Sequence, residues 1–109
     1  MVTTSLQGNF RFRAVYDGGR SAAGKYFVLF ALKNSLEANR LGITVTKKIG
    51  CAVVRNRARR VIREGFRLCE HFAQGYDFVV LARPSIVGVG MNDIIPELTK
   101  LAKRLNLGT

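Results

Sequence analysis

Residues 52–73, AVVRNRARRVIREGFRLCEHFA, carry the longest helical pattern in the sequence. At about 100° per residue, the apolar side chains of this stretch fall on one continuous arc. The arc comprises Val54, Ala58, Val61, Ile62, Gly65, Leu68, Cys69 and Phe72. We therefore predict a long amphipathic helix that lies on a sheet and stops before Gly75.

The outward side of this helix is almost wholly cationic. Its side chains are Arg55, Asn56, Arg57, Arg59, Arg60, Arg63 and Arg67, and Lys47 and Lys48 precede them in the chain. A solvated helix face normally mixes both signs, yet Glu64 is the only acid between residues 52 and 69. Glu64 can pair with Arg60 or Arg67. Because arginine can donate two hydrogen bonds to a phosphate at once, this side predicts a polyanionic partner.

The charge and size of the whole chain agree with this prediction. Eighteen lysines and arginines face seven acids, which gives a formal net charge of +11 and a pI near 10.7. A merely basic, soluble protein is the alternative, but so large an imbalance favours a nucleic acid as the partner. With 109 residues, 48% of them hydrophobic, we expect one core and a single domain over residues 1–109.

A short helix and two extended segments precede the long helix. Apolar residues at i, i+3 and i+4 predict a helix over residues 8–17, which two glycines end. A strongly β-prone sequence predicts extended chain over residues 21–33, with a break near Gly24. Alternating apolar residues predict another strand over residues 40–46.

One strand and one helix follow the long helix. Residues 76–82 predict the last strand, and a proline and two glycines mark the loop after it. The last helix is predicted over residues 92–105, with Pro96 in or close to its first turn. Its apolar stripe comprises Ile94, Ile95, Leu98, Leu101, Ala102 and Leu105.

The segment of residues 26–32 is apolar on both faces of its predicted strand. One face can lie beneath the two later helices, whereas only the short first helix can cover the other. Part of that second face can therefore stay open as a platform on which nucleic-acid bases stack. The alternative is that Phe12 and Phe30 are core residues, as aromatic residues at such positions usually are. Tyr16, which has a hydroxyl group and borders Asp17, is the best candidate for partial exposure in either case.

The sequence shows no pattern that predicts a protein-borne hydrolytic site, and it leaves any metal ligands unidentified. Its seven acids lack the spacing of a metal cluster, and His71 has no obvious partner. On one helix, Cys51 and Cys69 would be about 27 Å apart, too far for a disulfide. Reduced thiols suit a cytoplasmic protein. The longest apolar run, residues 26–32, is far shorter than the ~18 residues of a membrane helix, so no membrane partner is expected.

Residues 45–64, VTKKIGCAVVRNRARRVIRE, resemble the signature of the bacterial ribonuclease P protein family, which is built around an Arg-Asn-Arg core. Four further segments are similar to the family pattern in the same order. They are FRAVY at residues 12–16, GRS at 19–21, FVLF at 27–30 and DFVVLAR at 77–83. The resemblance covers nearly the whole chain.

This resemblance implies a fold, namely a two-layer α/β sandwich (α+β) in the order α-β-β-β-α-β-α with a mixed four-stranded sheet. It also implies a left-handed crossover for the strand, helix and strand around the basic helix. Most such crossovers are right-handed, so sequence physics alone would not predict this one.

The resemblance further implies two RNA-facing surfaces. The basic helix meets the catalytic RNA, and a cleft between the first helix and the sheet holds the single-stranded leader of precursor tRNA. The residues carried over to the first surface are Lys47, Lys48, Arg55, Asn56, Arg57, Arg59, Arg60 and Arg63. Those carried over to the cleft are Phe12, Tyr16 and Phe30, with Arg13, Lys25 and Arg11 as neighbours.

The activity implied by the resemblance is endonucleolytic removal of the 5′ leader from precursor tRNA. Mg²⁺ bound to the RNA subunit would carry the hydrolysis, so no residue is predicted to be catalytic and no metal ligand is named. The expected partners are ribonuclease P RNA and precursor tRNA, with no DNA and no membrane. A ribosomal-type RNA-binding protein is the alternative. A helix-turn-helix protein fits less well, because strands flank the basic helix.

One segment and three single positions depart from the family pattern. Residues 1–10 have no charged side chain where the family is usually basic. Thr46 stands where serine is common. Cys51 occupies a position usually held by asparagine, which removes a potential cap at the start of the long helix. Gly65 replaces the usual alanine and should cost about 1 kcal/mol of helix stability, unless close packing requires it.

Overall fold

A mixed five-stranded sheet with three α-helices organises the chain in the computed structural model, which describes residues 3–36, 38–69 and 73–106. The strands are β1 (Thr3–Ser5), β2 (Arg20–Ala23), β3 (Phe27–Lys33), β4 (Asn39–Thr44) and β5 (Tyr76–Ala82). The helices are α1 (Asn9–Gly18), α2 (Ala52–Leu68) and α3 (Met91–Arg104), and short 3₁₀ helices span Lys47–Ile49 and Pro84–Ile86.

The strands lie in the order β1-β4-β5-β3-β2. β4 is parallel to both β1 and β5, whereas β3 is antiparallel to β5 and to β2. The predicted order α-β-β-β-α-β-α and the mixed sheet are confirmed, and the four predicted strands are β2 to β5. β1 adds a three-residue edge strand that we did not predict, because Thr3–Ser5 has no alternating apolar pattern. The connection from β4 through α2 to β5 is the one for which the resemblance implies a left-handed crossover.

Helices cover both faces of the sheet, but unequally. Phe27, Leu29 and Ala31 of β3 are buried in a large cluster with residues of α2 and α3. On the other face, Val15 of α1 and Val79 of β5 belong to a small buried cluster with Leu6. The partly buried residues packed against this small cluster are Phe12, Tyr16, Phe30 and Leu32. The predicted division of β3 into a covered face and a thinly covered face is confirmed.

The long helix is shorter than predicted. α2 ends at Leu68 rather than at residue 73, because the backbone of Cys69 is extended, with φ −84° and ψ 112°. Its core side follows Ala58, Ile62 and Phe66, and Phe66 meets Phe78 edge-on with ring centroids 5.3 Å apart. Leu68, which we placed on the apolar arc, is instead 46% exposed, and Phe72 lies outside the described residues.

Close packing between α2 and α3 accounts for Gly65. A Cβ atom at this position would lie only 2.8 Å from Cγ2 of Ile94. Close packing therefore requires glycine here, which is the case in which we expected no net loss of helix stability.

Pro96 is not in the first turn of α3, because the helix begins at Met91. Proline has no amide proton, so Pro96 cannot donate a hydrogen bond to the carbonyl of Asn92. The side chain of Pro96 is exposed, and solvent can therefore reach the helix at this point.

A partly buried ion pair joins the neighbouring strands β4 and β5 at one end of the sheet. Arg40 of β4 donates two hydrogen bonds of 2.6 Å to the carboxylate of its register partner Asp77 in β5. Asn34 donates a third, of 2.9 Å, to the same carboxylate. This pairing raises the pKa of Arg40 above its ordinary value. The polar cluster lies at the start of β4, whereas α2 follows the other end of that strand.

Candidate nucleic-acid interface

The predicted cationic residues lie together on the outer side of α2 and on the 3₁₀ helix before it. We call this surface the basic helix face. Arg57, Arg60 and Arg63 are exposed, whereas Arg55 and Arg59 are half-buried. Its members are Lys47, Lys48, Arg55, Asn56, Arg57, Arg59, Arg60 and Arg63. A shallow depression of about 630 Å³ runs along it between Val53 and Arg63.

Little of the positive charge on this face is neutralised within the protein. Glu64 pairs with Arg67, the second of the two predicted options, and this contact lowers the pKa of Glu64 and raises that of Arg67. Within residues 3–36, 38–69 and 73–106, no carboxylate forms an ion pair with Arg57, Arg60 or Arg63. Their guanidinium groups are therefore available to an external anion.

Two arginines of this face are more constrained. Nη1 of Arg59 donates a 3.0 Å hydrogen bond to Oδ1 of Asn56, which orients both side chains along the helix surface. Nε of Arg55 is buried and has no hydrogen-bond acceptor in the described part of the chain.

At the start of α2, the backbone amides of Val54 and Val53 lower the pKa of the exposed Cys51 thiol.

An open groove of about 850 Å³ lies between α1 and the end of β4. We call it the aromatic groove, because three aromatic side chains of α1 line it. Its described lining residues are Asn9, Phe10, Phe12, Arg13, Tyr16 and Asp17 from α1, Ile43, Thr44 and Val45 from β4 and its end, and Arg59 from α2. Arg59 thus belongs to the groove and to the basic helix face at once.

Specific contacts fix the aromatic side chains of this groove. The ring of Phe12 packs over Gly42, so closely that a Cβ atom on this glycine would lie 2.4 Å from Cζ of Phe12. The hydroxyl of Tyr16 is within 2.8 Å of Oγ1 of Thr44. Phe30 meets Tyr16 edge-on, with ring centroids 4.9 Å apart and planes at 89°. Phe30 therefore supports Tyr16 from behind rather than lining the groove.

The structure brings only some of the predicted cleft residues together. Phe12, Arg13 and Tyr16 line the groove, whereas Lys25 and Arg11 are not among its lining residues. The backbone amide of Lys25 donates a 2.7 Å hydrogen bond to Glu97 of α3, and its ammonium lies 5.4 Å from the ring centroid of Tyr26. This position is at the turn between β2 and β3.

Sequence reasoning missed Phe10 as a groove residue. Phe10 is 84% exposed and lies in the first turn of α1, on the groove side. Phe10 does not belong to the i, i+3 and i+4 apolar spacing that predicted this helix. The only signal for it was an aromatic residue next to Arg11 and three residues before Arg13. Thr44 was missed as well, because nothing in the sequence indicates its contact with Tyr16.

The described acids do not assemble into a metal site. In residues 3–36, 38–69 and 73–106, no group of three or more histidine, cysteine, aspartate or glutamate side chains could hold a metal ion. Asp77 is engaged by Arg40, and Glu97 accepts hydrogen bonds from the amides of Lys25 and Tyr26. No helix in these ranges is long and apolar enough to cross a bilayer.

Comparison with known proteins gives one consistent result. A sequence model of the family described as Ribonuclease P matches residues 2–106. The ribonuclease P protein component of Clostridioides difficile is 42% identical over 107 residues, which cover 96% of this chain and 94% of the relative. The corresponding protein of Carboxydothermus hydrogenoformans is 44% identical, with 90% and 87% covered.

Solved structures extend the agreement to three dimensions. The RNase P protein of Staphylococcus aureus matches with a TM-score of 0.84 at 31% identity, covering 96% of this chain and 97% of that one. The RNase P protein from Thermotoga maritima matches with a TM-score of 0.82 at 32% identity, covering 92% and 96%. Sequence and fold agree over almost the full length, and the chain therefore belongs to the family of ribonuclease P protein components.

Proposed function

We propose that this chain, as the protein subunit of ribonuclease P, binds the catalytic RNA through the basic helix face and the 5′ leader of precursor tRNA through the aromatic groove. By doing so it promotes endonucleolytic removal of the leader and yields the mature 5′ end of tRNA. The observation that carries this proposal is the junction at Arg59. Arg59 borders both the basic helix face and the aromatic groove.

The basic helix face suits structured RNA. Its exposed arginines have no carboxylate partner among the described residues, so phosphate contacts displace only water and counterions. Such contacts position an RNA without reading its sequence. Lys47 and Lys48 extend the same charge to the start of α2.

The aromatic groove suits a single strand. Phe10, Phe12 and Tyr16 present aromatic surface on which unpaired bases can stack, and stacking tolerates any base because each has a π-face. Arg13 and Arg59 border the same groove and can hold the phosphates of that strand. A leader differs in sequence from one precursor to the next, so a tolerant groove fits this substrate.

The protein's part in the chemistry is to position the RNA. The described carboxylates do not form a site for Mg²⁺, so we assign the metal ion and the hydrolysis to the RNA subunit. The protein would raise affinity for substrates that carry a leader and screen the repulsion between two RNAs, in the cytoplasm. We expect the purified chain alone to leave precursor tRNA uncut.

Reconstitution tests this function. The chain would be added to the ribonuclease P RNA of Clostridioides difficile at low Mg²⁺, and cleavage of precursor tRNA would be followed. We expect faster cleavage and tighter binding of precursor than of mature tRNA. RNA binding without stimulation or leader preference would favour a ribosomal-type RNA-binding protein instead. Site-specific cleavage by the chain without RNA would contradict our assignment of the chemistry.

A further inference from the structure

A second, smaller depression lies between the start of α2 and the chain that follows the 3₁₀ helix Pro84–Ile86. Its volume is about 250 Å³. We call it the valine groove. Its described lining residues are Val53, Val54, Arg57, Ala58, Val61, Ile86, Val87, Gly88 and Val89. All of them are apolar except Arg57.

The rim of the valine groove exposes apolar surface that the fold does not use. Val53 is 76% exposed and Val87 is 51% exposed, whereas Ala58 and Ile86 at the base are buried. A depression walled by apolar side chains can receive a small apolar group of a ligand. The exposed valines contribute little to folding, so a partner gives the better account of them.

The valine groove adjoins the basic helix face. Val53 and Arg57 line both the small groove and the shallow depression that extends to Arg63. A ligand whose anionic backbone lies along the arginines therefore passes the mouth of the small groove. No acidic side chain is among the described residues that line either depression.

We propose that the valine groove receives one unpaired base of the catalytic RNA, turned out of its helix, while the adjoining phosphates lie on Arg57 and Arg60. The inference rests on the proposed function and deepens it. Proteins recognise RNA mainly at loops and bulges, where unstacked bases reach apolar and guanidinium surfaces. Arg57 can cover the base from the side, as its guanidinium borders the apolar walls.

An RNA base fits this groove better than a second copy of the chain does. A second copy would bring another net charge of +11 to a surface crowded with arginines. An RNA brings the opposite charge and, at unpaired positions, a flat apolar face. An RNA thus supplies both the negative charge that the arginines attract and the apolar face that the groove can cover.

The test compares a double variant, Val53→Ser with Val87→Ser, with an electrostatic variant, Arg63→Ala. Both valines are exposed, so the double variant should unfold at the wild-type temperature. Its affinity for the ribonuclease P RNA of Clostridioides difficile should fall roughly tenfold with an unchanged salt slope, since the interaction that it removes is apolar. Arg63→Ala should lower the slope by about 0.7 to 0.9. Leu36→Ser, at a residue 50% exposed and outside both depressions, is the matched control and should bind normally.

Base-resolved chemical probing of the RNA identifies the occupant. Wild-type protein should change the reactivity of one unpaired base, and the double valine variant should leave that base as in free RNA while keeping the backbone footprint. Removing this base from the RNA should weaken wild-type binding and leave binding of the double variant unchanged.

The alternative outcomes are distinct. If the wild-type chain neither binds nor stimulates the RNA, the proposed function fails and the base site fails with it. If wild type binds with steep salt dependence and the double variant binds equally well, only the base site is overturned. A change in self-association of the double variant by sedimentation, without a change in RNA affinity, would assign the groove to a second copy.

Discussion

The hydroxyl of Tyr16 lies 2.8 Å from Oγ1 of Thr44, so one hydrogen bond joins α1 to β4 across the aromatic groove. The same tyrosine is held from behind by the edge of Phe30. Its ring is therefore held in place in the free protein. A stacking surface that is already ordered loses little side-chain entropy on binding.

Tyr16→Ala should reduce the preference for leader-bearing substrate, at a cost of about 1 to 3 kcal/mol if the ring stacks on a base. Tyr16→Phe is the matched control. It keeps the ring and removes the bond to Thr44, so it should retain the preference and lose about 1 kcal/mol of unfolding free energy. Binding of precursor and mature tRNA to the holoenzyme, together with thermal unfolding, separates the two effects. An alanine variant with native stability and a wild-type binding ratio would show that the groove is not the leader site.

Gly42→Ala should displace the side chain of Phe12, which lines the aromatic groove. The new methyl group would occupy the space of the Phe12 ring, which has to move by more than a small rotation because the clash is with ring carbons. We expect a loss of about 1 to 3 kcal/mol in stability, as for other overpacked sites. Leader preference should fall, while binding to the catalytic RNA keeps its wild-type salt slope. A normal leader preference in this variant would mean that the position of Phe12 is unimportant for the substrate.

Arg60→Ala and Arg63→Ala should each weaken binding to the catalytic RNA. Each phosphate interaction that a variant removes should reduce the slope of log affinity against log salt by about 0.7 to 0.9. Leader preference should return to normal once saturating protein restores assembly. Lys103→Ala, an exposed cation in the last turn of α3, is the control for a general loss of charge and should leave the slope nearly unchanged. Equal slopes for all three variants would indicate diffuse attraction rather than a defined face.

Gly65→Ala should destabilise the protein even though alanine is the better helix former. The helix propensity of alanine is worth about 1 kcal/mol, but its methyl group would press on Ile94, and overpacking costs about 1 to 3 kcal/mol. Combining it with Ile94→Ala, which removes the Cγ2 methyl group that the new methyl would press on, should cost less than the sum of the two single losses. Chemical denaturation of the two single variants and the double variant measures this coupling. A Gly65→Ala protein more stable than wild type would show that α2 and α3 can move apart at no cost.

Periodicity was sufficient for the elements that are long and amphipathic. The apolar arc of α2 and the run of β5 predicted where these elements lie, because burial on one side leaves a regular pattern in the sequence. β1 leaves no such pattern, since three uncharged residues at a sheet edge need only backbone pairing. The end of α2 was missed because the apolar pattern continues past Leu68 while the backbone of Cys69 leaves the helix.

The candidate site was less accessible to sequence reasoning. The arginines of the basic helix face could be predicted, because they lie on one helix and share one sign of charge. The groove depends on contacts between distant segments, such as Phe12 over Gly42 and Arg59 beside α1. Neither of these follows from spacing along the chain. For the same reason, the sequence did not indicate that the turn containing Lys25 is bonded to α3.

The position of β5 bears on how the protein is made. β5 lies between β3 and β4 in the sheet, although the ribosome synthesises it after both of them and after α2. A nascent chain that ends before Tyr76 already contains Phe12, Tyr16 and the arginines of α2, yet it lacks the strand that joins the two halves of the sheet. Folding of the complete sheet therefore has to wait until β5 leaves the exit tunnel, and a truncated product should not compete with the finished subunit for the catalytic RNA.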